Sequence, residues 1–434
     1  MESSLRILDP EVLSALLLTV QWSVLSIGPA LVLAHGLVAA FRGRGGFVLR
    51  WLSVLPGMFY ALIVLRVLKI LAPDLRYSGL AVCLAWILAA VPFLAAVIGE
   101  GVRDLDPRGR EAMRSLGAGG WKLWWHHDVV PTWRTQASAL LQQVAIFLTS
   151  FSIVVILGGG PPNETLEVGI FTSVRLDRVD PGKAWAMAFW QSLLLICIQF
   201  LLLRLRGQGV RGFLARPPFP RGRRNRWFPL VFLPTLLLLV MSRENPRDWV
   251  VPLLWSLGLS FMAAGGAVLW ALGSYALGFR MVAGVGAWIS PMILTYLAWS
   301  SGAGWLHPLL MLTMIQSVLF APGLARSWYP LLDRCRTSEL EAARSLGAAP
   351  LEAWMHVEWP RVRGPLQAGA AWVAALSLLE SSTVMWFAGS GFDTLSGRVQ
   401  TLFIRFRIAD AEAGFAILCL LAYAFLWWGG RESA

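Results

Sequence analysis

The sequence predicts an all-α polytopic membrane protein, about eleven transmembrane helices in two similar halves. Three observations carry this prediction. Apolar stretches of spanning length recur along the chain, basic residues collect in the short segments between them, and one eight-residue stretch returns 230 residues later. Of the 434 residues, 57% are hydrophobic and 14% charged; mean hydropathy is +0.62. A soluble domain carries roughly 25% charged residues. So much apolar surface cannot be hidden inside one soluble globule, and lipid is its natural solvent.

The apolar runs have cores at 13–40, 47–72, 77–101, 135–157, 184–205, 227–242, 250–277, 280–299, 305–326, 365–388 and 410–428. A helix rises about 1.5 Å per residue, so ~20 residues cross the ~30 Å hydrocarbon core. The run at 227–242 is the shortest. The opening residues, MESSLRILDPE, lack a basic stretch before the first apolar run, so that run is expected to stay as a helix.

Orientation follows from Lys and Arg, which favour cytoplasmic loops. Arg42, Arg44 and Arg50 follow the first run, and Arg103, Arg108, Arg110, Arg114, Lys122 and Arg134 surround the third loop. Arg204, Arg206, Arg211, Arg216, Arg221, Arg223, Arg224 and Arg226 fill the middle of the chain. Arg326, Arg334, Arg336, Arg344, Arg361 and Arg363 crowd the loop before the tenth run. If eleven helices alternate, all these loops fall on one side. The N-terminus is then outside and the C-terminus inside. The net charge of +12 therefore reflects loops facing anionic headgroups rather than a nucleic-acid partner. Residues 207–226, rich in Arg, Gly and Pro, read as a basic cytoplasmic linker between a first half at 1–206 and a second at 227–434. Cys83, Cys197, Cys335 and Cys419 form no CxxC pair, so neither a disulfide framework nor a zinc site is expected.

The halves repeat. Glu111-Ala112-Met113-Arg114-Ser115-Leu116-Gly117-Ala118 lies in the loop 103–134. Glu341-Ala342-Ala343-Arg344-Ser345-Leu346-Gly347-Ala348 lies in the loop 328–364. Pro131 follows Gly117 by fourteen residues and Pro360 follows Gly347 by thirteen. A second echo pairs Thr165-Leu166, after a Gly-Gly-Gly-Pro-Pro run, with Thr394-Leu395, after Gly389-Ser390-Gly391. Repeated halves with a pathway between them are a common transporter plan. Each loop reads as a short helix with Glu near its positive end, a glycine permitting a sharp reversal, an amphipathic stretch, and a closing proline. The product is a helix–Gly–helix elbow on the cytoplasmic face, shaped to enter a groove on a partner.

Glu-Ala-Ala, three residues, Gly and a later Pro resemble the EAA loop of type I ABC importer permeases. Two copies in one chain resemble the fused permeases of the thiamine and ferric-iron class. The run Leu157-Gly158-Gly159-Gly160-Pro161 with Thr165-Leu166-Glu167-Val168 and a segment to Ala184 and Gln191 is more similar to the thiamine group. The resemblance implies six helices per half, whereas the first half here reads as five, beginning at the family's second. It implies that Glu111, Ala112, Gly117, Pro131, Glu341, Ala342, Ala343, Gly347 and Pro360 form two coupling elbows. Met113 departs from the third motif position. The resemblance further implies two copies of a separate ATPase subunit below, a periplasmic solute-binding protein above, and residence in the bacterial inner membrane. Import of thiamine or its phosphates would then be driven by ATP hydrolysed elsewhere. Ferric iron or another small solute, or a non-transporting scaffold or sensor, remain the alternatives.

The residues set limits of their own. No G-x-x-x-x-G-K-[ST] loop occurs, so ATP hydrolysis by that route belongs to another chain, and no cofactor is expected here. Gly207-Gln208-Gly209-Val210-Arg211-Gly212 matches G-x-G-x-x-G but follows a spanning helix instead of a strand, which reads as chance. His126 and His127 are adjacent and diverge on a helix, so they read as solvated or headgroup-facing rather than as metal ligands. An intramembrane enzyme would need convergent catalytic groups, and no H-E-x-x-H or intramembrane Asp pair is found. Glu380 lies deep in an apolar run, where a carboxylate is costly and faces either a pathway or a neighbouring helix. Ser150 occupies the corresponding region of the first half, and Gln142 is a further pathway candidate that could equally bridge helices.

Overall fold

The structure, a computed structural model, describes residues 7–41, 49, 52–158, 163–175, 180–205, 246–300, 306–335, 342–343, 345–349, 352, 354–387 and 392–431. Every regular element among them is helical. That is the outcome lipid demands, because a helix satisfies its backbone polar groups within one segment. The chain forms two compact units, Met1–Phe213 and Leu214–Ala434. The expected linker at 207–226 and the expected helix at 227–242 lie outside the described residues.

The first unit contains α1 (Pro10–Phe41), α2 (Gly57–Leu71), α3 (Gly79–Arg103) and α4 (Pro107–Ser115). A short α5 (Gly120–Leu123) runs into a π-helical segment, Trp124–Val129. Then come α6 (Trp133–Leu148), α7 (Ser152–Leu157), α8 (Leu166–Arg175) and α9 (Pro181–Leu205). Ser78 caps α3 by accepting from the Ala81 amide, and Arg103 closes it at the negative end of its dipole. α3 is the core of this unit, packed between α1, α2 and α6. Its Trp86 is fully buried and stacks on Phe147 of α6 at 4.8 Å. Leu17, Val24 and Val32 on α1 and Ile196, Phe200 and Leu203 on α9 remain exposed, an apolar exterior suited to acyl chains.

The second unit contains α10 (Val250–Ala276), α11 (Pro291–Ser300), α12 (Pro308–Cys335), α13 (Trp359–Leu379), α14 (Leu395–Ile404) and α15 (Ile408–Arg431). A second π-helical segment, Trp354–Glu358, leads into α13. α10 packs on α12 and α13, and α13 packs on α15. The first of these contacts is close: a Cβ at Gly266 would lie 2.1 Å from Ser317 Oγ of α12. Small residues draw membrane helices together in this way.

Among the described residues six helices, α1, α3, α9, α10, α12 and α15, are long and apolar enough to cross a membrane. The chain is a multi-pass membrane protein. Four runs expected as single helices are interrupted. The run at 47–72 breaks at Leu55 and Pro56, where Pro56 holds an extended backbone and α2 begins at Gly57. The run at 135–157 stops at Leu148 and restarts at Ser152, where the Thr149 hydroxyl turns back onto the carbonyls of Ala145 and Ile146. The run at 365–388 ends at Leu379 and resumes as a single 3₁₀ turn, Val384–Phe387. Glu380 therefore sits just past a helix end, not deep within a helix. The run at 280–299 is a 3₁₀ turn, Val282–Ala287, followed by α11, which opens on Pro291 and is capped by Ser290.

The short helices α8 and α14 follow these interruptions and are held alike. Thr19 Oγ1 of α1 accepts from the Leu166 amide at 3.0 Å, and Ser256 Oγ of α10 accepts from the Leu395 amide at 2.7 Å. Both amides are first-turn donors with no intrahelical partner. Leaving such a donor buried and unpaired costs about 1–3 kcal/mol. Thr19→Val and Ser256→Ala are therefore expected to raise hydrogen exchange in α8 and α14 respectively, with the long helices unchanged; mass spectrometry of detergent-solubilised protein measures both.

Candidate functional site

The two elbows are built from local sequence. Asp106 caps α4 by accepting from the Arg108 amide at 3.0 Å, and Pro107 opens its first turn. α4 carries Glu111 and Ala112, and none of its residues is buried. Gly117 ends the helix at φ +78°, a conformation that costs other residues roughly 1–2 kcal/mol. Its amide donates to Arg114 O, and the Ala118 amide reaches back to Met113 O at 3.0 Å. This is a Schellman ending.

The same geometry recurs 230 residues on. Gly347 has φ +86°, the Ala348 amide donates to Ala343 O at 3.1 Å, and the Leu346 amide donates to Ala342 O at 3.1 Å. Ser115 donates to the Ala112 carbonyl and Ser345 to the Ala342 carbonyl, both at 2.8 Å. Nothing lies within 4 Å of a Cβ built on either glycine. Glycine is thus required there by the turn and not by a close neighbour. Each reversal leaves one leucine fully displayed: Leu116 is 86% and Leu346 87% exposed. Ala342, Ala343 and Gly347 fall in this turn, whereas Glu341 lies outside the described residues.

Beyond the glycines the sequence correspondence continues further than the motif. Trp124, His126 and Asp128 recur as Trp354, His356 and Glu358 at the same offset, and each set lies in a π-helical segment. The prolines differ. Pro131 lies in a turn before α6, whereas Pro360 stands in the unbroken helical stretch that runs from the second π-helical segment into α13. His127 is not free: its Nδ1 lies 2.8 Å from Asp128 Oδ1, and Asp128 also pairs with Arg110 at 3.6 Å.

The candidate pathway residues sit at the interruptions. Ser150 Oγ accepts from the Trp86 indole at 3.1 Å. Glu380 is half-buried, and its Oε1 accepts from the Ser382 amide at 2.6 Å and the Thr383 amide at 3.4 Å. Its carbonyl accepts from Ser396 of α14 at 2.8 Å. The carboxylate thus folds its own chain break, leaving Oε2 without either of these backbone donors. Gln142 lies half-buried on α6 before the first break.

Two glutamines outside the sequence-derived candidate set do more. Gln316 of α12, fully buried, accepts from Ser377 Oγ at 2.5 Å and donates to Thr383 Oγ1 at 3.3 Å, bridging the second break. Gln191 of α9, also fully buried, donates to Leu148 O at 2.8 Å and to the Glu167 carboxylate, fastening the first break to α8. In the segments that lead into α8 and α14, burial raises the pKa of Glu164 and of Asp393, which precede Thr165-Leu166 and Thr394-Leu395. The Thr172 hydroxyl and Lys183 partly offset this at Glu164, as Arg398 does at Asp393.

Curated relatives bear on these elements. The thiamine transport system permease proteins ThiP of Brucella abortus and Brucella suis are 26% identical over 324 residues, covering 66% of this chain and 59% of theirs. That of Haemophilus influenzae is 23% identical over 454 residues, covering 92% of this chain and 79% of its own. The chain is similar to thiamine transport permeases. It spans about three fifths of the length of the Brucella permeases it matches. No family model matches the chain, and no solved structure matches it.

Gln316→Leu leaves two hydroxyls without their amide partner, a cost of about 1–3 kcal/mol for each group. It is expected to lower the melting temperature in detergent by several degrees, whereas Gln142→Leu leaves it nearly unchanged; differential scanning fluorimetry compares the two.

Proposed function

We propose that this chain is the fused permease of a binding-protein-dependent ABC importer, moving thiamine or its phosphates into the cytoplasm. The observation that carries the reading is the recurrence, 230 residues apart, of a solvent-facing elbow with a positive-φ glycine and a displayed leucine. Such a leucine has no role within its own half. It is placed to fill an apolar socket on a partner, and two alike elbows suit two copies of one ATPase. Similarity to thiamine transport permeases supports the same reading and is the ground for naming thiamine as the substrate.

On this reading the chain crosses the bacterial inner membrane eleven times, N-terminus outside and C-terminus inside, in the type I importer fold. The halves are 1–206 and 227–434, joined by the basic linker. Glu111, Ala112, Gly117, Pro131, Glu341, Ala342, Ala343, Gly347 and Pro360 form the coupling elbows. A periplasmic binding protein delivers solute to the outer loops at 158–183 and 389–409. ATP binding closes the ATPase pair beneath the elbows and opens the halves outward; hydrolysis in that separate subunit resets them. Discontinuous helices mark binding sites in many transporters. Glu380 and Ser150, at the two interruptions, then line the path together with Gln142.

The test is purification from gently solubilised membranes with co-purifying proteins identified by mass spectrometry, and thiamine uptake by cells expressing the complex. An ABC ATPase is expected. Its absence, in a detergent that preserves a control importer, would sink the reading in favour of a non-transporting scaffold. ATPase recovery with uptake of ferric iron and not of thiamine would keep the permease and change its substrate. A buried leucine contributes about 1.5–3 kcal/mol. Leu346→Asp is therefore expected to weaken ATPase binding about tenfold or more while membrane insertion persists. Gly347→Val is expected to abolish ATPase association by distorting the same turn.

A further inference from the structure

Within each half the first described spanning helix is tied by polar groups at its end nearest the coupling loop, and the two ties use different chemistry. In the first half, His35 lies near the end of α1. Its Nδ1 accepts from the Trp124 indole at 3.3 Å, and its Nε2 lies 3.1 Å from Gln136 Oε1. With Nδ1 accepting, Nε2 carries the proton and donates to the amide oxygen. The Trp124 ring stands edge-on to the imidazole at 5.2 Å. Gln136 donates onward to Thr132 Oγ1 at 2.8 Å, Thr132 donates to Asp128 O, and Asp128 pairs with Arg110 of α4. An unbroken polar chain thus runs from α1 to the helix that carries Glu111.

In the second half the registering pair is Ser256, which answers Thr19. Counted from it, the position of His35 holds Leu272, which has no polar group to offer. The tie is made instead at the end of α10. Tyr275 donates to Asp333 Oδ1 at 2.9 Å, and Arg280 grips the same carboxylate at 2.7 and 3.0 Å. The guanidinium lies 4.6 Å from the centre of the Tyr275 ring. Asp333 belongs to the last turns of α12, where the loop 328–364 begins. A donor fork on one carboxylate fixes direction as well as distance. Apolar packing alone would hold these helices side by side. It would not fix the end of the first helix to the coupling loop in both halves by unrelated residues.

We propose that α1 and α10 are levers that carry elbow movement into the spanning region, with His35 of α1 and Asp333 of α12 as the positioning residues that tie their ends. The proposal rests on the permease reading. It predicts that removing either tie leaves ATPase binding intact and disconnects one first helix from it.

The test uses the full chain with its ATPase in lipid vesicles, with native cysteines replaced and spin labels at exposed positions. Val32 on α1 with Val67 on α2 reports the first half, and Leu269 on α10 with Met314 on α12 reports the second. ATP is expected to shift both label distances. His35→Phe should remove the shift in the first pair alone, and Asp333→Asn that in the second alone, with ATPase association unchanged. His35→Gln, which keeps an acceptor and a donor, should restore the first shift. This rescue separates a positioning role from a loss of folding. Shifts that persist in His35→Phe and Asp333→Asn overturn the levers, as does a wild-type complex that binds the ATPase with no shift. A wild-type chain that binds no ATPase overturns the permease reading, and the levers with it.

Discussion

Every backbone N–H and C=O within a bilayer must find its partner inside the protein. A long apolar helix meets this condition unaided, and six helices among the described residues do so. Wherever a helix stops at depth, side chains must take over. The polar residues of the interior follow that need closely. Thr19 and Ser256 serve the first amides of α8 and α14. Gln191 and Gln316 bridge the two interruptions, and Glu380 accepts the amides that its own break releases. These five side chains each serve a place where a helix fails to continue, whereas the buried hydroxyls of Ser23, Ser260 and Ser317 lie mid-helix and return to carbonyls four residues earlier.

The elbows obey a different rule because water surrounds them. Their backbones can be satisfied by solvent, so their shape is set by turn chemistry. A positive-φ glycine closes each first helix, and the preceding leucine is left outside with no intramolecular use. Conformational demand on the glycine and exposure of the leucine come from the same turn. On the proposed reading, the residue that binds a partner is displayed by the residue that reverses the chain.

The long helices were legible in the sequence because hydropathy summed over twenty residues is a strong signal. The glycine turns were legible because two copies of one short stretch agreed. The interruptions were not, since Thr149, Ser150 and Ser382 hardly lower a windowed average. Glu380 stood out as a lone charge in an apolar run, yet its actual partners, the amides of Ser382 and Thr383, depend on a break that the average conceals. Gln316 gave no local signal, and Gln191 entered only as the end of a family resemblance, because their partners lie on distant segments. The Trp124, His126 and Asp128 correspondence was available at the offset already found, but it lies beyond the glycine where the motif ends.

The two π-helical segments differ in length, six residues at Trp124–Val129 and five at Trp354–Glu358. Pro131 likewise stands one residue further from its glycine than Pro360 does. In an ordinary helix an extra residue rotates everything after it by about 100°. A π turn is wider and takes one residue more before the chain comes round again. If the halves descend from a duplicated gene, this is where a single-codon insertion could be tolerated, with slack absorbed before the membrane is re-entered. The two copies could then drift in length at their hinge while the faces of α6 and α13 kept their phase.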